Sequence, residues 1–179
     1  MPHRLQSFEA MVLPHLRAGY SLARWLLRND QDAEDVTQDA LVRAFRSFDG
    51  FHGGNARGWL LTVVRNSAYS FLQKNRAREL GTEFDEAVHS EPAGSGRASE
   101  TPEVLVLRSA QQRIFSQAVE ALPVEFREAF VLRELEGLSY KEIAEVARIP
   151  IGTVMSRLSR ARRHLQAAVA RSGRAGSGS

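Results

Sequence analysis

Residues 139–165, SYKEIAEVARIPIGTVMSRLSRARRHL, constrain this chain more than any other stretch. They spell a short amphipathic segment, a break at RIPIG and a longer amphipathic segment from about Thr153, the spacing of a helix-turn-helix. At the helical rotation of 100° per residue, Val154, Leu158, Ala161 and Leu165 cluster on one side, where Ile143, Ala147 and Ile149 can meet them. The opposite side carries Ser156, Ser159, Arg160 and Arg163, with Arg157 and Arg162 on the flanks. Residues 149–165 hold four arginines and no carboxylate, whereas surface helices usually mix both signs because opposite charges three or four residues apart stabilise them. A helix laid in a major groove needs this layout, with guanidinium forks for guanine edges and phosphates and small hydroxyls for close approach. Thr153, Met155, Ser156, Arg157, Ser159, Arg160 and Arg163 are therefore expected to face duplex DNA. Tyr140 and Lys141 open the preceding helix, where free N–H groups and a cation favour phosphate. Arg148 stands in the break, where many such motifs place a glycine; a non-glycine residue at positive φ is uncommon but tolerated.

A second stretch points the same way. Between Asp49 and Glu79 there is no acidic residue, and Arg57, Arg65, Lys74, Arg76 and Arg78 lie inside that gap. A helix over about 56–78 would bury Leu60, Leu61, Val64, Ala68, Phe71 and Leu72. Its other face would present Trp59, Thr62, Asn66, Tyr69, Ser70 and Gln73, with Trp59, Asn66 and Gln73 one above another at seven-residue intervals. An indole on a polar face has two readings. Either the preceding loop covers it, or it is a platform for unstacked bases, with the amides hydrogen bonding and the cations holding phosphates. Paired DNA has no use for such a platform; opened strands do.

A third segment differs in kind. NDQDAEDVTQDALVRAF carries carboxylates where a helix begins and is expected to bury Ala33, Val36, Ala40, Leu41 and Ala44. It exposes Asp32, Asp35, Gln38, Asp39 and Arg43, an acidic face that repels DNA. Such a face is either merely solvated or docks a basic protein surface.

Elsewhere the periodicity is also helical, and no apolar–polar alternation lasts long enough for a strand. Helices are expected over about 5–28, bent at Pro14, from the NDQDAED segment to near Phe48, over 103–121, and from Pro123 to Gly137. DGFHGGN, residues 49–55, reads as a turn-rich loop. Charge divides the chain: net +3 over residues 1–79, −5 over 80–104 and +5 over 105–179. The acidic strip is rich in Gly, Ser, Glu and Pro and reads as a linker. The expected fold is all-α, two small helical domains joined by a flexible linker, the C-terminal one a helix-turn-helix. The boundaries fall at 1–80, 81–104 and 105–170, with a disordered tail at 171–179.

The 179 residues include no cysteine, which excludes disulfides and thiolate metal sites and suits a reducing compartment. No apolar run reaches the roughly 18 residues a membrane span needs, and the N-terminus lacks the apolar stretch of a secretion signal. A soluble cytoplasmic protein is expected. Five scattered histidines lack ligand spacing, so no metal is expected. AGSGR lacks the ending of a phosphate loop, and no nucleophile–base pair stands at interpretable spacing. Neither catalytic residues nor a cofactor are expected, and the chain is not read as an enzyme.

At this point the chain resembles one family, the small extracytoplasmic-function sigma factors of bacterial RNA polymerase, within the sigma-70 family. DAEDVTQDALVRAF followed by ARGWLLTVVRNSAYSFLQKNR resembles the family's second region. LPVEFREAFVLRELEGLSYKEIAEVARIPIGTVMSRLSRARRHL resembles its fourth. The resemblance implies that the surface of Asp32, Asp35, Gln38, Asp39 and Arg43 docks on core RNA polymerase, at the clamp helices of the largest subunit, with the flap as a further contact. It implies that the helix of residues 56–78 and the loop before it read the melted minus-ten element. The residues concerned are Asp49, Phe51, His52, Asn55, Arg57, Trp59, Thr62, Asn66, Tyr69, Gln73, Lys74 and Arg76. Asn66 would help hold a flipped base and residues 49–55 would form its pocket. The last helix would read the minus thirty-five element as duplex. Met155 departs from the pattern, standing where many members carry Lys or Arg, which bears on promoter sequence rather than on role. Members are commonly silenced by an anti-sigma factor wedged between the two domains, so such a partner is implied here.

Two other readings stay open on the residues. A stand-alone helix-turn-helix regulator would explain the last helix but not the acidic third segment or the aromatic polar face. An adaptor that binds proteins only would leave both cationic helices without a purpose.

Overall fold

The computed structural model describes the backbone of residues 2–81 and 102–176, and the side chains of residues 2–81 and 109–176. The expected linker at 81–104 lies almost wholly outside the described residues. Among the described residues every regular element is helical.

Four helices make the N-terminal half: α1 (Pro2–Val12), α2 (Leu16–Leu27), α3 (Asp30–Ser47) and α4 (Ala56–Glu79). The expected bend at Pro14 is a short 3₁₀ turn, Leu13–His15, separating α1 from α2. Proline fits there because the first turn of a helix leaves its N–H unused. Between α2 and α3 the chain reverses through Arg28, at φ 58, and Asn29, whose side chain accepts the Asp32 N–H and caps α3. The core lies among α2, α3 and α4, with Leu22, Leu26, Ala40, Leu60, Leu61 and Val64 at or near zero exposure. Gly19 sets how closely α2 approaches α4: a Cβ there would lie 3.2 Å from a Val64 methyl. Phe8 of α1 closes one end, meeting Phe45 and Phe48 edge to face at 5.2 and 5.3 Å between centroids.

The C-terminal half contains α5 (Pro102–Glu120), α6 (Val124–Phe130), α7 (Tyr140–Ala147) and α8 (Ile151–Ala175). After α6 the chain widens into one π turn, Val131–Leu135, and Gly137 reverses it at φ 69. Ser139 then caps α7 in a reciprocal capping box with Glu142, satisfying orphan N–H groups in both directions. Arg148 ends α7 at φ 55 and ψ 50, so the position occupied elsewhere by glycine is here a left-handed arginine. The buried side of α8 is Val154, Leu158, Ala161 and Leu165, packed with Ile143, Val146, Leu132 and Leu138.

α8 runs through Ala175, beyond residue 170, its last turns closed by a Gly176 N–H to Ser172 O bond of 3.3 Å. The small and cationic residues beyond 165 continue the helix because nothing there breaks it before Gly176, and Gly173 is carried within it. Residues 177–179 lie outside the described residues.

The halves touch: α4 lies against α7 and α2 against α6.

Candidate nucleic-acid interface

α8 presents its polar side to solvent as one surface. Met155, Ser156, Ser159, Arg160 and Arg163 are exposed, while Thr153 and Arg157 are half-buried at its edges. Arg162, on the flank, is held by Glu134 at 3.2 Å. The Arg160 guanidinium lies 6.0 Å from the Phe126 ring centroid, near the limit of a useful cation–π contact, and so stays available. Lys141 is exposed, and Tyr140 is half-buried with the Arg133 guanidinium 4.8 Å from its ring centroid.

α4 is divided lengthwise. Asn66, Gln73, Lys74 and Arg76 are exposed. Trp59 is half-buried, and Phe51 of the preceding loop stacks on it at 4.8 Å with the planes 26° apart. One face of the indole is thus already occupied. The loop that carries Phe51 turns through Gly53 and Gly54 at φ 88 and 95, a region open to glycine at little cost, and leaves His52 exposed. Asp49 pairs with Arg4 at 2.8 Å. Thr62 is satisfied internally, its hydroxyl donating to Gly58 O at 2.8 Å.

The other edge of α4 faces the C-terminal half. Asn55 caps α4 by accepting the Gly58 N–H, and its amide donates to Glu142 at 3.1 Å. Arg57 donates to Glu136 O at 3.1 Å and stands 3.9 Å from Glu142. Two turns along, Arg65 donates to Glu128 at 2.7 Å and Tyr69 donates to the other oxygen of the same carboxylate. Glu128 is 1% exposed. Burial and then the neighbouring Glu128 charge push the Tyr69 hydroxyl well above its ordinary pKa of 10.0. For Arg65, burial favours the neutral form, but hydrogen bonding to Glu128 and its charge outweigh it, and the pKa is raised.

The acidic face of α3 is where the sequence places it. Asp35, Gln38, Asp39 and Arg43 are exposed and Asp32 is half-buried. Burial, then repulsion from Asp35, raises the Asp32 pKa. Arg43 is tied to Asp39 at 2.8 Å one turn away. Among the described residues no His, Asp and Glu group is arranged to hold a metal ion, and no helix is long and apolar enough to cross a membrane.

Two family models match the chain in order: sigma-70 region 2 over residues 11–78 and sigma-70 region 4 over residues 112–165. The ECF RNA polymerase sigma-E factor of Escherichia coli is 39% identical over 134 residues, covering 73% of this chain and 70% of that protein. This chain belongs to the ECF RNA polymerase sigma factors. A further relative, the ECF RNA polymerase sigma factor SigE of Mycolicibacterium smegmatis, is 33% identical over 90% of this chain and 61% of its own length. Among solved structures, the sigma factor RpoE of Bartonella quintana, in complex with the anti-sigma factor NepR, superimposes with a TM-score of 0.73. It shares 33% identity and covers 92% of this chain and 97% of its own.

The region 2 match of this ECF sigma factor takes in the α3 face, the aromatic loop and α4; the region 4 match takes in α7 and the first part of α8. Within these regions, reasoning from the sequence missed the contacts between the halves. Glu128 was detectable, since it lies four residues from Val124 and from Leu132, on the side of α6 that helical periodicity turns inward. Arg127 was not. It is buried, donating to Glu120 O, Leu122 O and Leu26 O at 2.8–3.1 Å, and burial followed by Arg28 repulsion lowers its pKa to about 10.

Proposed function

We propose that this chain is an alternative sigma factor that binds core RNA polymerase through the α3 face and carries two separate DNA readers to the promoter. Asp32, Asp35, Gln38, Asp39 and Arg43 meet the clamp helices of the largest subunit, and the flap is a further contact. Exposed Asn66, Gln73, Lys74 and Arg76, with the Phe51–Trp59 pair, receive the melted minus-ten strand. Stacking on that pair is worth roughly 1–3 kcal/mol per base. Met155, Ser156, Ser159, Arg160 and Arg163 read the minus thirty-five duplex. The protein acts by binding, in the cytoplasm, and performs no covalent step. Because the Bartonella relative is seen with an anti-sigma factor, a protein inhibitor of the same kind is proposed for this chain.

One observation supports this reading above the others: an exposed arginine–serine face on α8 and, on α4, exposed amides and cations beside the half-buried Phe51–Trp59 pair occur in one chain, in the order of sigma-70 regions 2 and 4. A stand-alone regulator has no need of the second face. The test is reconstitution with core polymerase, followed by run-off transcription across the fragmented native genome. Initiation at a limited set of sites, absent with core alone, is the expected result. Tight, specific duplex binding without polymerase, and no initiation with it, would instead identify a regulator.

A further inference from the structure

Most of α1 lies before the region 2 match, which begins at residue 11, yet one of its side chains reaches the loop that leads into α4. The half-buried Arg4 donates through Nε to the Asp49 carboxylate at 2.8 Å and through a terminal nitrogen to Phe45 O at 2.8 Å. Its guanidinium also stands 4.5 Å from the Phe45 ring centroid. Phe45 O belongs to the last turn of α3, where the helix dipole favours a cation, and Asp49 lies in the 3₁₀ turn Phe48–Gly50 that follows. One fork thus ties the end of α3 to the start of the loop and sets the direction in which the chain leaves. Phe8, one turn further along α1, extends the hold. It meets Phe45 and Phe48; Phe48 lies 6.3 Å from Phe51 and 6.4 Å from Trp59, and Phe51 stacks on Trp59. We propose that Arg4 is a positioning residue that fixes the loop of residues 49–55, so that the Phe51–Trp59 pair stands ready for the melted strand, and that Asp49 is the anchor for Arg4 rather than a contact to DNA. The inference rests on the minus-ten role proposed above for that pair.

Three physical points carry it. First, apart from the Phe51 ring, the loop is held at its ends. A Cβ at Gly50, Gly53 or Gly54 would meet nothing within 4 Å, and His52 is exposed. At one end the Phe51 N–H donates to Phe48 O at 3.0 Å, and at the other Asn55 caps α4. A segment rich in glycine has much conformational freedom to lose, so its shape depends on how those ends are fixed, and Arg4 fixes the first. Second, Asp49 is the last carboxylate before Glu79. Bare, it would repel a phosphate strand; paired with Arg4, its charge is offset. Third, the pair is poorly placed to serve stability. The Asp49 side chain is 75% exposed, and ion pairs open to water add little. What a guanidinium with two fixed hydrogen bonds does supply is geometry. A loop ordered in advance spares the strand the cost of ordering it on binding.

The chain has two tryptophans, Trp25 and Trp59, so Trp25→Phe leaves Trp59 as the single reporter. In the free chain with that background, Arg4→Gln should shift Trp59 emission to the red and raise its quenching by acrylamide, because the indole loses the ring that covers one face. Arg17→Gln, an equal loss of charge at an exposed site on α2, should do neither. The second probe is a fluorescein-labelled single strand spanning the minus-ten element of a promoter found by run-off transcription. Arg4→Gln should weaken its binding to reconstituted holoenzyme by about fivefold, the cost of ordering one or two more side chains on binding. The salt slope of that binding should be unchanged, since Arg4 meets no phosphate; a slope reduced by about 0.7 would make Arg4 a DNA contact instead. Asp49→Ala should weaken binding to a similar extent, and adding it to Arg4→Gln should weaken binding no further, because residues that act through one contact are not additive. The melting temperature of each variant should stay within about 3 °C of wild type. Unaltered Trp59 signals, the reduced slope, losses that multiply in the double variant, or a fall in melting temperature that accounts for the lost binding would overturn the proposal. The fluorescence measurement uses neither DNA nor polymerase. Red-shifted emission alongside failed transcription would thus leave the anchoring of the loop standing and remove the sigma role instead.

Discussion

Tyr69 shows how much a single hydroxyl can report. It donates to Glu128 from a half-buried position, beside the Arg65 guanidinium 4.1 Å from its ring centroid. Its ionisation is opposed by burial first, then by the charge of Glu128 and the loss of that hydrogen bond. The direction of the pH effect follows. With the two halves in contact the phenolic proton is held more tightly than in the unfolded chain, where the ordinary value of 10.0 applies. The contribution of this contact to stability is therefore fully present below pH 10 and is lost as pH rises past it. Unfolding free energy measured against pH should fall through this contact only in that alkaline range, and Tyr69→Phe should remove that part of the alkaline dependence. Asn66 is the opposite case, an exposed side chain whose loss disturbs no packing. Asn66→Ala should change unfolding free energy by less than about 0.5 kcal/mol. Permanganate footprinting of the promoter should nonetheless show reduced strand opening at unchanged core affinity. Equal loss of both would assign Asn66 to the fold rather than to the DNA.

At the scale of elements, α8 was the most legible. A periodic buried stripe is fixed by geometry alone, and Val154, Leu158, Ala161 and Leu165 are buried as the 100° rotation requires. The same rotation found the buried residues of α4 and α3, with small differences: Thr37 and Ser67 are buried too, and Leu41, Phe71 and Leu72 only in part. Thr37 escapes a pattern search because its hydroxyl is absorbed by Ala33 O at 2.6 Å, so a polar type behaves as a core residue. Trp59 could not be placed from its own helix, because what stacks on it comes from the loop. Arg148 took the left-handed conformation despite its Cβ because the turn between α7 and α8 demands it. On α8 itself Arg160 is exposed and is proposed to reach a base edge. Arg160→Ala should weaken upstream duplex recognition by about 1–3 kcal/mol if the contact is bidentate. Competition binding of holoenzyme to promoter fragments, with and without the upstream element, should show the loss only where that element is present.

Across the whole molecule, sequence periodicity is blind to how two helical halves meet, since that depends on a few polar contacts between residues some sixty to a hundred positions apart, such as Arg65 with Glu128 and Arg127 with Leu26. What it does convey is two separate cationic faces, proposed above as DNA readers, and the independence of such readers has a measurable consequence. Counterion release gives a salt slope of about −0.7 for each phosphate neutralised on a single strand and about −0.9 on duplex DNA. Each reader should therefore contribute its own separable slope. Lys74 is exposed on α4 and Arg163 on α8. In binding assays with the free chain over a range of salt, Lys74→Ala should reduce the single-strand slope by about 0.7 and leave the duplex slope unchanged. Arg163→Ala should reduce the duplex slope by about 0.9 and leave the single-strand slope unchanged. In holoenzyme, where both readers engage one promoter, the second contact becomes intramolecular and the two reductions should appear together in a single curve. Slopes that shift jointly in the free chain would mean that one continuous basic surface, rather than two readers, meets the DNA.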